Sequence, residues 1–150
     1  MTSTVPAIRG FHHVTFVVSD LNASLAWFAR VLGATHIERL DHRDQTGERY
    51  ACVMRFAGLD AAVQLKTATT SVPVPVGLDP ITFGVGNASE LEEWVSHLDA
   101  SEVAHSGVLR RRTGSAVELA TPDGVVLRFY TMPGRGGFDA VAFSEEGIEG

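Results

Sequence analysis

Two stretches of this chain begin alike, and that repetition restricts the fold more than any other feature. The first reads His13-Val-Thr-Phe-Val-Val-Ser-Asp20 and the second Pro80-Ile-Thr-Phe-Gly-Val-Gly-Asn87. At one constant offset Thr15 matches Thr82, Phe16 matches Phe83, Val18 matches Val85 and Trp27 matches Trp94. Agreement over a strand and two helical turns marks a duplicated unit, so whatever folds the first half folds the second.

Each copy reads as strand, helix, then three strands. Residues 11–18 are β-branched and aromatic, the composition of a strand. Asp20 and Asn22 offer N-caps for a helix in which Leu21, Leu25, Phe28 and Leu32 recur at helical spacing. Gly33 closes it, because glycine tolerates the left-handed conformation of a helix end. In the second copy Ser89 and Glu92 have capping-box spacing, and Leu91, Trp94, Val95 and Leu98 form the apolar stripe. Strands are expected near 35–41, 49–56 and 61–66, and again near 104–109, 115–120 and 125–131. Pro122-Asp123-Gly124 marks a tight turn before the last of them. The expectation is a single α+β domain of two tandem β-α-β-β-β modules, about 10–67 and 79–131. A linker at about 68–78 contains Val72-Pro-Val-Pro-Val76, whose prolines lack the donors of a central strand. A tail, 132–150, carries Glu145, Glu146 and Glu149.

Composition removes several classes of function. A net charge of −6 and a pI near 5.4 argue against a nucleic-acid scaffold. Arg110-Arg111-Arg112 is a short basic run read as a solvated loop between strands. Cys52 is the only cysteine, so neither a disulfide framework nor a thiolate cluster is available, and its apolar neighbours place it in packing. Residues 1–10 lack the pattern of a signal peptide, and no apolar stretch reaches the roughly 20 residues of a membrane span. The expected location is cytoplasmic, with no nucleic-acid or membrane partner.

The opening His13-x4-Val18-Ser-Asp20-Leu21-x2-Ser24-x2-Trp27-Phe28-x3-Leu32-Gly33 resembles the start of the vicinal oxygen chelate superfamily. That superfamily includes glyoxalase I, extradiol dioxygenases, methylmalonyl-CoA epimerase and the fosfomycin- and bleomycin-resistance proteins. Thr121-Pro122-Asp123-Gly124 before an apolar strand resembles its second signature, usually Asp-Pro-Asp-Gly. The resemblance covers about residues 10–131. It implies curved mixed sheets around a cavity (the glyoxalase/bleomycin-resistance/dioxygenase fold), and a homodimer. In metal-using members it also implies four ligands, from the first and last strands of both modules.

Carried onto this sequence, those four positions are His13, Gln64, Pro80 and Arg128. His13 is a good ligand and Gln64 a neutral, weaker one. Pro80 has no donor atom in its side chain, and Arg128 is a permanent cation with no acceptor. At ~4 Å and an effective dielectric near ~20, a guanidinium facing a dication costs about 8 kcal/mol. The expectation is therefore a degenerate metal site, with no metal and no cofactor. A slip of the alignment would bring in Asp79, but strand alternation turns that residue to the other face. The same alternation points His12 away from the cavity. His36, His42, His97 and His105 are read as surface or satisfied core histidines.

Residues two apart share a strand face, so a ligand-binding cavity is expected to include His13, Thr15, Gln64, Lys66, Arg128 and Tyr130. A mainly apolar pocket with few polar groups suits a small molecule. Arg128 either anchors an anionic ligand or pairs with an internal carboxylate such as Glu118. The favoured function is small-molecule binding, of a partly anionic or aromatic ligand, without assigned catalytic residues. An alternative is a divalent-metal-dependent, glyoxalase- or dioxygenase-like enzyme using a reduced ligand set. A further alternative is a non-catalytic interaction module docked through its acidic tail.

Overall fold

The computed structural model describes residues 5–134 and 137–140. Its chain divides into two compact units at the Val72–Pro73 bond. Glu145, Glu146 and Glu149 of the tail lie outside the described residues.

The first unit opens with β1 (His13–Val18) and α1 (Leu21–Leu32). Asp20 caps the helix by accepting the Ala23 N–H at 3.0 Å, one of the donors that no intrahelical carbonyl reaches. Gly33 ends it at φ +70°, where a side chain would be strained. There follow β2 (Thr35–His36), β3 (His42–Arg43), β4 (Arg49–Arg55) and β5 (Ala62–Thr67). The sheet runs β1-β5-β4-β2, with β3 also paired to β4. β1 and β5 are parallel and β4 is antiparallel to its neighbours. The single strand expected over 35–41 is two short pieces separated by a 3-10 turn at Glu38–Leu40. Leu40 N–H returns to the Ile37 carbonyl at 2.9 Å, lifting the chain off the ladder between the pieces.

The second unit repeats the pattern: β6 (Thr82–Val85), α2 (Ala88–Ala100), β7 (Leu109–Arg111), β8 (Gly114–Ala120) and β9 (Val126–Thr131), in the order β6-β9-β8-β7. β6 and β9 are again the parallel pair. Two expectations need correction. The α2 cap is Asn87, which accepts the Glu90 N–H at 3.0 Å, so the capping motif begins two residues before Ser89. The strand expected at 104–109 is only an isolated bridge, His105 to Leu119, followed by β7. Gly107 at φ +70° and the Ser106 hydroxyl, bonded to the Gly107 carbonyl, turn the intervening chain. The Pro122-Asp123-Gly124 turn closes as expected, with Gly124 at φ +80° and its N–H on the Thr121 carbonyl at 2.9 Å.

Each sheet buries one face against its own helix. In the first unit Phe16, Leu65, Cys52 and Met54 are buried with Phe28, whose ring centroid lies 5.4 Å from that of Phe16. In the second, Trp94 of α2 stacks on Phe129 of β9, with centroids 4.2 Å apart and planes at 19°. Because strand side chains alternate, the residues between these core positions turn to the face opposite the helix. That is where every proposed site residue falls.

Candidate functional site

The strand registers put the proposed residues in equivalent rows. In the first unit Thr15 lies opposite Gln64, and Gln64 opposite Val53. In the second, Thr82 lies opposite Arg128, and Arg128 opposite Glu118. Gln64 and Arg128 are thus true counterparts in the two ladders.

The first row is neutral. Thr15 Oγ1 donates to Gln64 Oε1 at 2.9 Å. His13 stands opposite Ala62, two residues along the same face, and Lys66 is exposed beside Val17. His13 lies against His12, their Nδ1 atoms 3.0 Å apart, so His12 shares the side of the chain that His13 occupies. His12 precedes β1, so strand alternation does not govern it.

The second row is a chain of ion pairs. Arg128 Nη2 lies 3.0 Å from Glu118 Oε1, and its Nη1 lies 3.2 Å from Asp79 Oδ2. Arg111 Nη2 donates to the same Glu118 oxygen at 3.1 Å. Two guanidiniums and two carboxylates balance, and Nε of Arg128 is buried with no partner among the described residues. Tyr130 shares this face and its hydroxyl sits 2.7 Å from Thr113 Oγ1. Beyond it, the Met132 thioether covers Gly84, where a Cβ would come within 2.2 Å of the sulfur. Thus four proposed residues lie in the first unit and two, Arg128 and Tyr130, in the second.

Sequence reasoning missed Asp79 as a partner of Arg128, although it immediately precedes the mapped Pro80. It also left Arg111 in a solvated loop, where only its neighbours Arg110 and Arg112 are exposed. A second missed feature is the Asp41 network of the first unit. Asp41, 4% exposed at its side chain, accepts from Arg49 Nη1 at 3.1 Å and lies 2.7 Å from His36 Nε2. Burial raises its pKa, but the hydrogen bonds and charges of His36 and Arg49 outweigh that and hold it below 3.8. Arg49 also donates to Asn22, tying the β4 strand to α1. Around it lies an open depression of about 580 Å³, lined mainly by polar side chains including Asp20, Asn22, Arg43, Glu48 and Thr67. None of the proposed cavity residues lines it. Cys52 is fully buried and its thiol is pushed up to about 11 by desolvation, which suits packing and not nucleophilic chemistry.

The model of the Glyoxalase/Bleomycin resistance protein/Dioxygenase superfamily matches residues 10–129. The chain belongs to that superfamily. No curated protein sequence matches it significantly. Among solved structures it is similar to TnmS3, an antibiotic-binding protein from a Streptomyces species, with a TM-score of 0.70 at 19% identity over 87% of this chain and 100% of that one. It is similar also to a mutant of the fosfomycin resistance protein FosX from Listeria monocytogenes, complexed with Mn(II) and a dihydroxypropylphosphonic acid. There the TM-score is 0.64 at 20% identity, over 83% and 93% of the two chains. Lactoylglutathione lyase from Agrobacterium tumefaciens gives 0.65 at 16% identity, over 84% and 96%. At these identities the likeness establishes the fold.

The FosX mutant was solved with Mn(II), and the residues of this chain at the equivalent positions bear on whether it could hold such an ion. Gln64 offers only a neutral carbonyl oxygen, which accepts from Thr15. Pro80 offers nothing, and Arg128 places a cation where a ligand would be needed. Among the described residues no three His, Cys, Asp or Glu side chains converge on a point that a metal would occupy. The donor set does not fit. No helix among the described residues is long and apolar enough to cross a membrane.

Proposed function

We propose that this superfamily member binds a small, flat molecule, aromatic or partly anionic, without a metal ion. The observation that carries this reading is the state of Arg128. It occupies the position of Gln64 in the repeated register, and both its terminal nitrogens are engaged by Glu118 and Asp79. A guanidinium held by its edges offers mainly its flat faces, which stack on conjugated rings. Tyr130 and the Met132 thioether continue the same face with polarisable surface. Because the ion-pair chain is balanced, charge contributes less to binding than shape and stacking do.

Thermal unfolding in EDTA with a panel of flat aromatic carboxylates and sulfonates tests the reading. At least one is expected to raise the melting temperature by several degrees, because selective binding to the folded state stabilises it. That shift should vanish in Arg128→Met. If stabilisation appears only with an added divalent metal, and about one metal per chain copurifies, a metal-dependent enzyme becomes the better reading.

A further inference from the structure

The helix α2 ends on Asp99 and Ala100, and the chain doubles back at once. Glu102 takes φ +57° with its N–H on the Asp99 carbonyl at 3.1 Å, and the Val103 N–H returns to the Leu98 carbonyl at 2.9 Å. That reversal carries His105 beside the helix end, where its Nε2 lies 2.6 Å from Asp99 Oδ1. The other ring nitrogen, Nδ1, accepts the Gly107 N–H at 2.9 Å. A backbone amide only donates, so Nδ1 carries a lone pair and the ring proton sits on Nε2, facing the carboxylate. The His105 side chain is 11% exposed, which leaves little room for water to replace either partner.

We propose that His105 is a pH-sensitive latch on the loop between α2 and β7. Histidine is the side chain that changes charge between about pH 5 and 8. A proton added at Nδ1 removes its lone pair and sets one N–H against another, so the bond to Gly107 is lost. The bond to Asp99 strengthens, because both partners are then charged. The imidazolium therefore stays on the helix and the loop lets go. Ser106 passes the release on: its Oγ donates to the Gly107 carbonyl at 2.7 Å and accepts the Glu118 N–H at 2.9 Å. The carboxylate of that same Glu118 holds Arg111 and Arg128. Acid thus loosens the approach to β7 and, through Glu118, the charged row; only an effect on ligand binding rests on the function proposed above. The surroundings of the ring leave Asp99 as its charged partner. His105 bridges Leu119 on the helix side of the sheet, where Val117, Leu119, Leu127 and Phe129 are buried and apolar. Glu118 turns to the opposite face, His97 packs on Trp94 at 5.6 Å, Glu102 is exposed on the turn, and Glu90, Glu92 and Glu93 lie in the first half of α2.

Nuclear magnetic resonance of the full ¹⁵N-labelled chain tests it, following the His105 ring nitrogens and the Gly107 amide from about pH 8 to about pH 5. At the alkaline end the ring should show the Nε2–H form. As His105 takes up its proton, the Gly107 amide signal should move with the same midpoint. Its protection from exchange, corrected for the intrinsic rate, should fall about 3- to 10-fold, the worth of one hydrogen bond. In His105→Gln the Gly107 signal should no longer follow pH over this range. An Nδ1–H ring at the alkaline end, a ring that stays neutral throughout, or a Gly107 amide indifferent to the ring's protonation would each overturn the latch. So would the same pH dependence persisting in His105→Gln. The wild-type titration decides the matter even where the variant fails to fold. It uses no ligand, so its outcome is separate from that of the aromatic panel.

Discussion

The two modules share one ladder register and differ in what they hang on it. In both, the first strand runs parallel to the last, and a threonine of the first faces the counterpart pair Gln64 or Arg128. In the first module that row is Thr15, Gln64 and Val53, joined by one neutral hydrogen bond. In the second it is Thr82, Arg128 and Glu118, extended to Asp79 and Arg111 by ion pairs. Duplication kept the backbone geometry, which depends on pattern and turn residues, while the open face changed freely. Residues on that face contribute little to either helix–sheet core, so substitution there leaves the fold standing.

The cores differ as well, and this supplies the largest effect. Trp94 stacks on Phe129, whereas the equivalent Trp27 meets Phe28 only by an edge at 5.2 Å, and the counterpart of Phe129 is Leu65. Trp94→Ala should cost about 2–3 kcal/mol, combining lost burial of a largely buried ring with the lost stack. Trp27→Ala should cost about 1 kcal/mol, since it forfeits partial burial alone. Chemical denaturation of both variants measures the gap. Equal losses would show that the tryptophans do the same work in both modules.

Next comes the charged row. Arg128→Ala leaves Asp79 unpaired and Glu118 with Arg111 alone, an expected loss of about 2 kcal/mol after allowing for the one-fifth exposure of the guanidinium. Gln64→Ala removes one exposed neutral hydrogen bond and should cost about 0.5–1 kcal/mol. Raising the salt concentration should narrow the difference, because screening weakens the ion pairs and not the Thr15–Gln64 bond. A salt-independent difference would mean that packing of the arginine stem, and not its charge, is what the second module relies on.

The repeat, the helix stripes, the glycine at Gly33 and the Pro122-Asp123-Gly124 turn were all legible, because each is a local pattern with a local cause. The pairing of Gln64 with Arg128 as counterparts was legible too, since an alternation of two carries a register along a strand. Three features were not. The break between β2 and β3 comes from a 3-10 turn that lets Asp41 reach His36 and Arg49, a tertiary contact that no periodicity announces. The α2 cap fell on Asn87 because Ser89 was read as the capping residue although the helix already includes it. His12 turned toward His13 because it stands one residue outside the strand whose alternation was applied to it.

Asp41 gives a prediction confined to the first module. Its folded pKa lies below 3.8, so its contribution is fully present above that value and is lost as the pH falls through the folded pKa. Asp41→Asn should therefore lower stability at neutral pH by about 1–2 kcal/mol, from weakened bonds to two partners. It should also flatten the acid limb of the stability profile below about pH 4. Segment-resolved hydrogen exchange should show the loss in residues 35–55, which hold the Asp41 network. Loss spread evenly over residues 82–131 as well would mean that the modules unfold as one cooperative unit.

The smallest effect tests how far the modules are interchangeable. The β4–β5 and β8–β9 registers make Cys52 the counterpart of Val117, since Ala51 faces Lys66 as Ala116 faces Tyr130. Both are fully buried, and both face the helix side of their sheets. Cys52→Val gives the first module the residue the second already uses, adding about one methylene of volume and removing the thiol. If the two cores match in shape here, it should change stability by no more than about 1 kcal/mol. Before substitution, the thiol should resist maleimide at pH 8 in the folded protein and react on unfolding, because desolvation has pushed its pKa up to about 11. A loss of 2 kcal/mol or more would show that the two cores have diverged in shape around this position. The repeat would then be conserved in its hydrogen-bond register alone and not in its packing.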